Sequence, residues 1–195
     1  MKRNHFLVTS VLFFAIIATG LTACSKKETS GTGSVADSSS KKASNRVLTI
    51  DSETIYGEKI SNEIYKKNDF TLVNIMATWC GPCIREIPEL QQIDAENNGF
   101  GVVGIVVDTY DEASGKNVPK AIEEAKNITN KTGAEYPFII PTQTFLEQTL
   151  KKSAALLPMS FIVDKEGNIV KGPIAGAKTK EQWLDILNSV KTSLK

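Results

Sequence analysis

The sequence predicts an α/β domain in which a mixed central sheet is flanked by helices, and three observations support this fold class. Apolar, β-prone runs at 70–77 and 101–107 are typical of strands buried on both faces. Segments with helical periodicity alternate with these runs, as in α/β sheets. Two short apolar runs, at 161–163 and 168–170, flank Asp-Lys-Glu-Gly and predict a β-hairpin near the C-terminus.

Two short elements are predicted before the first buried strand. VLTI at 47–50 is apolar and β-prone, which predicts a strand. Ser61 and Asn62 are residue types that cap helix N-termini, so we expect a short helix that runs from them to about Lys67.

A helix is predicted at 82–97, directly after the first buried strand. Pro82 fits its first turn, where an N–H group has no partner within the helix. Pro88 lies inside the helix and is expected to kink it. The sequence Asn-Asn-Gly at 97–99 is expected to end it. The apolar stripe that faces the sheet consists of Ile84, Ile87, Leu90 and Ile93.

The rest of the domain is predicted from the same patterns. Apolar spacing predicts helices at 118–132 and 143–152, and a short apolar run between them predicts a strand at 136–140. A final helix is predicted at 180–194, and its buried face consists of Trp183, Leu184, Leu187 and Val190.

The first 23 residues have the layout of an export signal. Lys2, Arg3 and His5 precede an apolar run at 6–20, and small residues follow it. The sequence Leu-Thr-Ala-Cys that ends at Cys24 resembles the lipobox of bacterial lipoproteins. This resemblance implies that residues 1–23 are removed and that Cys24 carries a diacylglyceryl group. An uncleaved signal anchor is the alternative, but the run is shorter than the ~20 apolar residues of a membrane span.

The predicted mature chain consists of a tether and one domain. Residues 24–45 are rich in Ser, Gly, Lys and Thr, which predicts a flexible linker, and residues 46–195 form the domain. The mature chain has 21 basic and 22 acidic residues, so it lacks the basic excess of a nucleic-acid-binding protein. The one histidine, His5, is removed with the signal, which leaves no imidazole for metal binding or catalysis.

The candidate chemistry lies in WCGPC at 79–83. A structural zinc ion takes four ligands, mostly Cys and His, so zinc would need an unusual carboxylate pair or a second chain here. A c-type haem site needs His after the second cysteine, where this chain has Ile84. A structural disulfide that closes so short a loop removes little chain entropy. These comparisons favour reversible thiol–disulfide chemistry without a metal or cofactor.

The two cysteines are expected to have different roles. They lie where a buried strand meets a helix N-terminus, and free N–H groups and the helix dipole stabilise a thiolate there. Cys80 is expected to be exposed and to act as the nucleophile, while Cys83, deeper in the first turn, then attacks Cys80. Gly81 and Pro82 hold the turn between them and are expected to contact the partner.

The apolar strand followed by WCGPC resembles the thioredoxin fold. The longer stretch LVNIMATWCGPCIREIPEL resembles membrane-anchored TlpA/ResA-type thioredoxin-like proteins, and PMSFIVDKEGNIV is a second match. The resemblance covers most of residues 46–195 and implies a thioredoxin-like sheet and disulfide exchange outside the cytoplasm.

The same resemblance assigns a role to Pro158, before a late strand. It implies a cis peptide bond at Pro158 and a position against the cysteine pair. An ordinary trans proline at the start of a strand is the alternative. Leu157 and Met159 differ from the residues that many relatives carry beside this proline, and Leu157 is expected at the partner contact.

Four further residues near the pair have candidate roles. ResA-type proteins carry an active-site glutamate at the spacing of Glu86, which implies that Glu86 exchanges a proton with Cys83; a solvated glutamate on the helix surface is the alternative. Asn74 stands where thioredoxins carry a buried Asp, and it cannot shuttle a proton. Trp79 is expected to be an exposed platform for partners or a packing residue. Asp108 follows a strand end near the site.

These features together predict a surface-tethered thiol–disulfide oxidoreductase, anchored to the membrane by lipid and monomeric. We expect it to reduce disulfides of extracytoplasmic clients, because Gly-Pro between the cysteines is the dipeptide of the reductant thioredoxin. The resemblance implies a CcdA-type membrane protein as electron donor. Candidate clients are an oxidised methionine sulfoxide reductase or apocytochrome c. The composition hints at a Gram-positive surface.

Two other functions remain open at the level of sequence. The protein could instead form or isomerise disulfides, since a lowered Cys80 pKa raises the reduction potential. It could also be a surface binding lipoprotein in which the cysteine pair is not catalytic.

Overall fold

A computed structural model describes residues 46–96, 98–150 and 156–194. The predicted signal at 1–23, the lipidation site Cys24 and the linker at 24–45 lie outside these residues. Within the described ranges, no helix is long and apolar enough to cross a membrane.

Strands and helices alternate along the domain. Short 3₁₀ helices occur at Asn62–Lys67 and Val107–Thr109. In chain order the other elements are β1 (Asp51–Glu53), β2 (Lys59–Ser61), β3 (Phe70–Met76), α1 (Gly81–Glu96), β4 (Phe100–Val106), β5 (Tyr110–Asp111), β6 (Lys116–Asn117), α2 (Pro119–Thr132), β7 (Phe138–Ile139), α3 (Gln143–Thr149), β8 (Met159–Asp164), β9 (Ile169–Ala175) and α4 (Lys180–Ser193).

Five of the strands form a mixed sheet in the order β7-β4-β3-β8-β9. The pairs β3–β4 and β4–β7 are parallel, whereas β3–β8 and β8–β9 are antiparallel. This is the predicted fold class, a mixed sheet with a C-terminal hairpin. The buried β3 lies at the centre, so the segment that follows it is anchored by pairing on both sides.

The two faces of β3 contribute to two separate apolar clusters. Leu72 and Met76 belong to the first cluster, together with residues of α1, α2 and α4. Val73 and Ile75 belong to the second, together with residues of α3 and the first 3₁₀ helix. Side chains alternate between the faces of a strand. Asn74 therefore points to the side of α1 and α4, although it is polar and buried.

The predicted strand at 47–50 is wrong. Val47 makes only an isolated bridge to Asn168, and the first strand begins at Asp51. Leu48 is buried, but its N–H donates to the carbonyl of Gly167 (2.8 Å) rather than to a neighbouring strand. The next two N–H groups donate to side chains of Gln148 and Asn62. An apolar run predicted burial correctly, but its backbone hydrogen bonds go to loop and side-chain acceptors.

The other predicted elements are found with shifted ends. Helix α1 begins one residue earlier than expected and contains Pro88, and the strand predicted at 136–140 shortens to two residues. The helix predicted at 143–152 ends at Thr149, and positions 151 and 152 lie outside the described residues. The small hairpins β1–β2 and β5–β6 were not predicted, because two or three polar residues carry no periodic signal.

Candidate active site

The cysteine pair lies at the junction between β3 and α1. The N–H of Cys80 donates to the carbonyl of Ala77 (3.0 Å). The carbonyl of Cys80 accepts the N–H of Ile84 (3.1 Å), the first hydrogen bond of the helix. Cys80 therefore holds the N-cap position, and Cys83 lies in the first turn.

The sulfur of Cys80 acts as the helix cap. The N–H of Cys83 donates to Cys80 Sγ (3.3 Å), which is the bond that a Ser or Asp oxygen makes at an ordinary N-cap. This donor and the positive end of the helix dipole stabilise negative charge on the sulfur. After reduction, the site therefore favours a thiolate on Cys80, the residue that was predicted to be the nucleophile.

Cys80 and Cys83 are joined by a disulfide, with their Cα atoms 5.3 Å apart. The structure therefore represents the oxidised protein. The spacing keeps each sulfur within reach of the other, which reversible exchange within the chain requires.

The prediction that Cys80 is exposed is wrong. Cys80 is only 5% exposed and Cys83 only 1%. Both belong to the first apolar cluster, and Leu157 packs against that cluster. The predicted order is nevertheless found, because Cys80 is the more accessible of the two. Trp79, beside it, is 72% exposed and lies on the surface as expected.

The peptide bond between Leu157 and Pro158 is cis, as the resemblance implied. The trans alternative is therefore excluded. Met159, the next residue, pairs with Ile75 near the end of β3. This register brings Pro158 to the end of the sheet at which Cys80 follows β3.

Glu86 is buried beside the first apolar cluster, with 2% exposure, and is not the solvated surface glutamate of the alternative interpretation. Three N–H groups donate to its carboxylate. Trp183 Nε1 (2.8 Å) and the backbone N–H of Lys178 (2.8 Å) donate to Oε1. Asn74 Nδ2 donates to Oε2 (3.0 Å). Burial raises the pKa of Glu86, and the three donors offset part of this increase.

Asn74 links Glu86 to the neighbouring strand. Its Nδ2 donates to Glu86 Oε2 and also to Ser160 Oγ on β8 (3.1 Å). An Asp at this position would bring a second carboxylate against Glu86. Two adjacent carboxylates resist double ionisation, so the amide is the residue type that suits a buried acid on α1.

Asp108 fixes the chain before the cysteines. Its carboxylate accepts the backbone N–H of Thr78 (3.0 Å to Oδ1) and the Thr78 hydroxyl. Thr78 is two residues before Cys80, so the 3₁₀ turn after β4 holds the segment that leads into the redox pair. The sequence predicted that Asp108 lies near the site but not this contact.

No group of three or more His, Cys, Asp or Glu side chains within the described ranges could hold a metal ion.

Comparison with known proteins identifies the family. The Redoxin family model matches residues 34–186. The chain belongs to the Redoxin family. Thiol-disulfide oxidoreductase ResA of a Bacillus cereus strain is 31% identical over 150 residues, which is 77% of each chain. ResA of Bacillus thuringiensis (strain Al Hakam) is 29% identical over 152 residues, again 77% of each chain.

A solved structure supports the same assignment. A thiol:disulfide interchange protein of the thioredoxin family from Chlorobium tepidum TLS aligns with a TM-score of 0.60 and 26% identity, over 75% of this chain and 95% of that one. The protein is thus a Redoxin-family, ResA-type thiol–disulfide oxidoreductase, and Cys80-Cys83 is its CxxC pair.

Three contacts of this Redoxin-family site were missed from the sequence. Ser160, Lys178 and Trp183 are 86 to 97 residues away from the groups they contact. Trp183 was correctly predicted to be buried, but its apolar periodicity did not reveal that the indole N–H has a carboxylate partner. A buried Trp usually donates its indole N–H to a hydrogen-bond partner. This tendency was the one sequence signal that could have indicated the contact.

Glu86→Gln is expected to remove a pH dependence of the free energy of unfolding of the disulfide form. Burial raises the pKa of Glu86 above its ordinary value of 4.5, so the folded state binds this proton more tightly than the unfolded state. That contribution is complete at a pH well below this ordinary value of 4.5 and is lost as the pH rises through the folded pKa. The free energy of unfolding of Glu86→Gln minus that of wild type should therefore increase with pH in urea titrations.

The matched control is Glu89→Gln, which removes a half-buried carboxyl from the same helix. Glu89 Oε2 accepts the backbone N–H of Lys180 (3.0 Å). If the free energy of unfolding of the two variants, relative to wild type, depends on pH in the same way, the pH dependence does not come from the burial of Glu86.

Proposed function

We propose that this protein is a surface-tethered thiol–disulfide oxidoreductase that reduces disulfides of extracytoplasmic client proteins. The observation that carries the exchange activity in this proposal is the position of Cys80 Sγ, which caps α1 and accepts the N–H of Cys83. Such a sulfur is stabilised as a thiolate, and the thiolate is the form that attacks disulfides.

The reaction has two exchange steps. The Cys80 thiolate attacks one sulfur of the client disulfide, so that a Cys80–client bond forms and the other client sulfur leaves as a thiolate. Cys83 then loses its proton to Glu86 and attacks Cys80 Sγ, which releases the second client thiolate. The client gains two electrons, and the pair returns to the disulfide form.

Glu86 is suited to accept the proton of Cys83. The two residues are three positions apart on α1, so their side chains lie on the same side of the helix. Burial raises the pKa of Glu86, which makes its carboxylate a stronger proton acceptor than that of an exposed glutamate. Both side chains are excluded from solvent, so Cys83 has few other acceptors.

A Cys83→Ser variant should accumulate a mixed disulfide through Cys80, because the step that releases the client is removed. The adducts are separated on non-reducing gels from cells that express the variant, and mass spectrometry then identifies the client and the linked cysteine. Cys80→Ser is the matched control and should form no adduct. A binding lipoprotein with a non-catalytic pair would give no adduct with either variant.

The direction of exchange is a separate part of the proposal. Gly81 and Pro82 are the residues that thioredoxin carries between its cysteines, and this supports the reductant direction. The helix cap on Cys80 favours the opposite direction, since a stabilised thiolate makes a pair more oxidising. A disulfide-forming oxidase or isomerase is therefore the second candidate.

The reduction potential distinguishes these directions. We expect a value near that of thioredoxin, ~−270 mV, when the wild-type pair is equilibrated with thiol–disulfide buffers and the oxidised fraction is measured. A value near that of DsbA, ~−120 mV, would contradict the reductant direction and support the oxidase.

A reductant outside the cytoplasm needs an electron supply, and we propose a CcdA-type membrane protein. The candidate clients are an oxidised methionine sulfoxide reductase and apocytochrome c, which are cysteine-containing targets of the predicted compartment. The resemblance of the sequence to TlpA/ResA-type proteins supports both assignments.

The tether is proposed from the sequence of residues 1–45. The apolar run, the small residues before Cys24 and the polar linker support removal of residues 1–23 and lipidation of Cys24. We expect wild-type protein in the membrane fraction and Cys24→Ala protein with an altered size and loss of fatty-acid labelling. Unchanged fatty-acid labelling of Cys24→Ala would contradict the anchor.

A further inference from the structure

The start of α4 is bound to α1 through two acidic side chains. Glu86 Oε1 accepts the backbone N–H of Lys178 (2.8 Å), and Glu89 Oε2 accepts that of Lys180 (3.0 Å). Thr179 and Gln182 form a reciprocal capping box that fixes the first turn of α4. This junction determines where the side chain of Trp183 is placed.

Trp183 is held from both sides in this position. Its ring is fully buried, and its Nε1 donates to Glu86 Oε1 (2.8 Å). Lys178 Nζ lies 5.1 Å from the centre of the ring and also donates to the carbonyls of Ala175 and Gly176 (2.8 Å each). The ammonium group therefore covers the indole while the indole N–H is directed at the carboxylate.

The two oxygens of Glu86 are consequently not equivalent. Oε1 accepts two N–H donors, from Trp183 and Lys178, while Oε2 accepts one, from Asn74. A proton on Oε1 would compete with two donors that cannot reverse their role, because an indole N–H and a backbone N–H never accept. A proton on Oε2 competes with only one.

We propose that Trp183, covered by Lys178, is a positioning residue that occupies Glu86 Oε1 and so directs proton transfer to Oε2. This inference rests on the proposed role of Glu86 as acceptor of the Cys83 proton. In it, the β9–α4 junction sets the orientation of the carboxyl, and Trp183 acts on the exchange through Glu86.

The charged and titratable groups around Glu86 are few among the described residues. Lys178 lowers the pKa of Glu86 by its charge, in addition to its hydrogen bond. Tyr136, before β7, has its pKa raised well above the ordinary value by burial and by the charges of Glu86 and Asp94, so it stays protonated. Cys83 is on the same helix, and β3 and α4 contribute the neutral Asn74 and Trp183.

The test is Trp183→Phe, which keeps an aromatic ring and removes the N–H donor. In the assay the client is replaced by dithiobisnitrobenzoate, a symmetrical aryl disulfide whose released thiolate is coloured and can be measured by absorbance. Attack by Cys80 releases one thiolate, and attack by Cys83 releases the second, so the second phase reports the step that uses Glu86. Loss of one donor to the carboxylate raises its pKa, and we expect the pH midpoint of this phase to move upward by about one unit.

Two further variants separate positioning from packing. Leu187→Val removes buried volume from the next turn of α4 without touching a hydrogen bond of Glu86, and its midpoint should stay that of wild type. Lys178→Met removes the ammonium group but keeps the backbone N–H, and should move the midpoint upward. If Trp183→Phe proves too unstable to assay, a fluorescence titration of Trp183 takes its place, because Lys178→Met also acts through the charge of Lys178 on Glu86.

A spectroscopic measurement tests the contact directly in the oxidised protein. The chain has two tryptophans, so in a Trp79→Phe background the fluorescence comes from Trp183 alone. Its emission should titrate with pH as Glu86 ionises, and Glu86→Gln should abolish this titration. A flat pH profile in the Trp79→Phe protein would overturn the positioning proposal.

Different results would contradict the proposed role of Glu86 as proton acceptor and the proposed role of Trp183 as positioning residue. If Glu86→Gln leaves the second phase and its pH dependence unchanged, Glu86 is not the proton acceptor and the proposed mechanism is wrong. If Glu86→Gln suppresses that phase while Trp183→Phe and Lys178→Met leave the midpoint unmoved, the mechanism stands and the positioning role of Trp183 is wrong.

Discussion

The buried carboxylate of Glu86 is the interaction on which the arrangement of the active site depends. A carboxylate without solvent is costly unless N–H donors surround it, and here the donors come from β3, from the β9–α4 junction and from α4. Meeting this requirement brings the central strand, the redox helix and the C-terminal helix together at one point. The same helix carries Cys83, so whatever fixes Glu86 also fixes the pair. The apolar cluster around it then supplies the packing energy but not this orientation.

The choice of Asn at position 74 follows from the same requirement. Thioredoxins place their buried acid on the strand, six residues before the first cysteine, whereas in this chain the acid is on the helix, three residues after the second. Only one acid can be accommodated there without like-charge repulsion. Asn74 supplies N–H groups to Glu86 and to Ser160, so it connects the acid to β8, the strand that follows the cis proline. Asn at position 74, where thioredoxins carry Asp, therefore accompanies the placement of the buried acid on the helix as Glu86.

The sequence predicted the sheet, the main helices and the cysteine pair, because long apolar periods and a short motif determine them locally. The sequence-based prediction failed where the structure depends on contacts between residues that are far apart in the chain. The run at 47–50 is buried as an apolar run should be, yet its N–H groups bond to Gly167, Gln148 and Asn62. Glu86 could not be distinguished from a surface glutamate, since its partners are 12 to 97 residues away. The low exposure of Cys80 likewise depends on a cluster assembled from distant segments.

The site balances two opposite influences on the pair. The cap at Cys80 stabilises a thiolate, and this alone would make the pair oxidising. Glu86 acts against it, because a second negative charge nearby in a region with little solvent raises the cost of ionising either group. In the proposed cycle the charge leaves Cys80 when its bond to the client forms, and the Glu86 carboxylate, held by its three donors, then accepts the proton of Cys83. In the proposed cycle one proton and one electron pair leave the site together, and the donors that hold Glu86 are then expected to influence both the reduction potential and the rate of release.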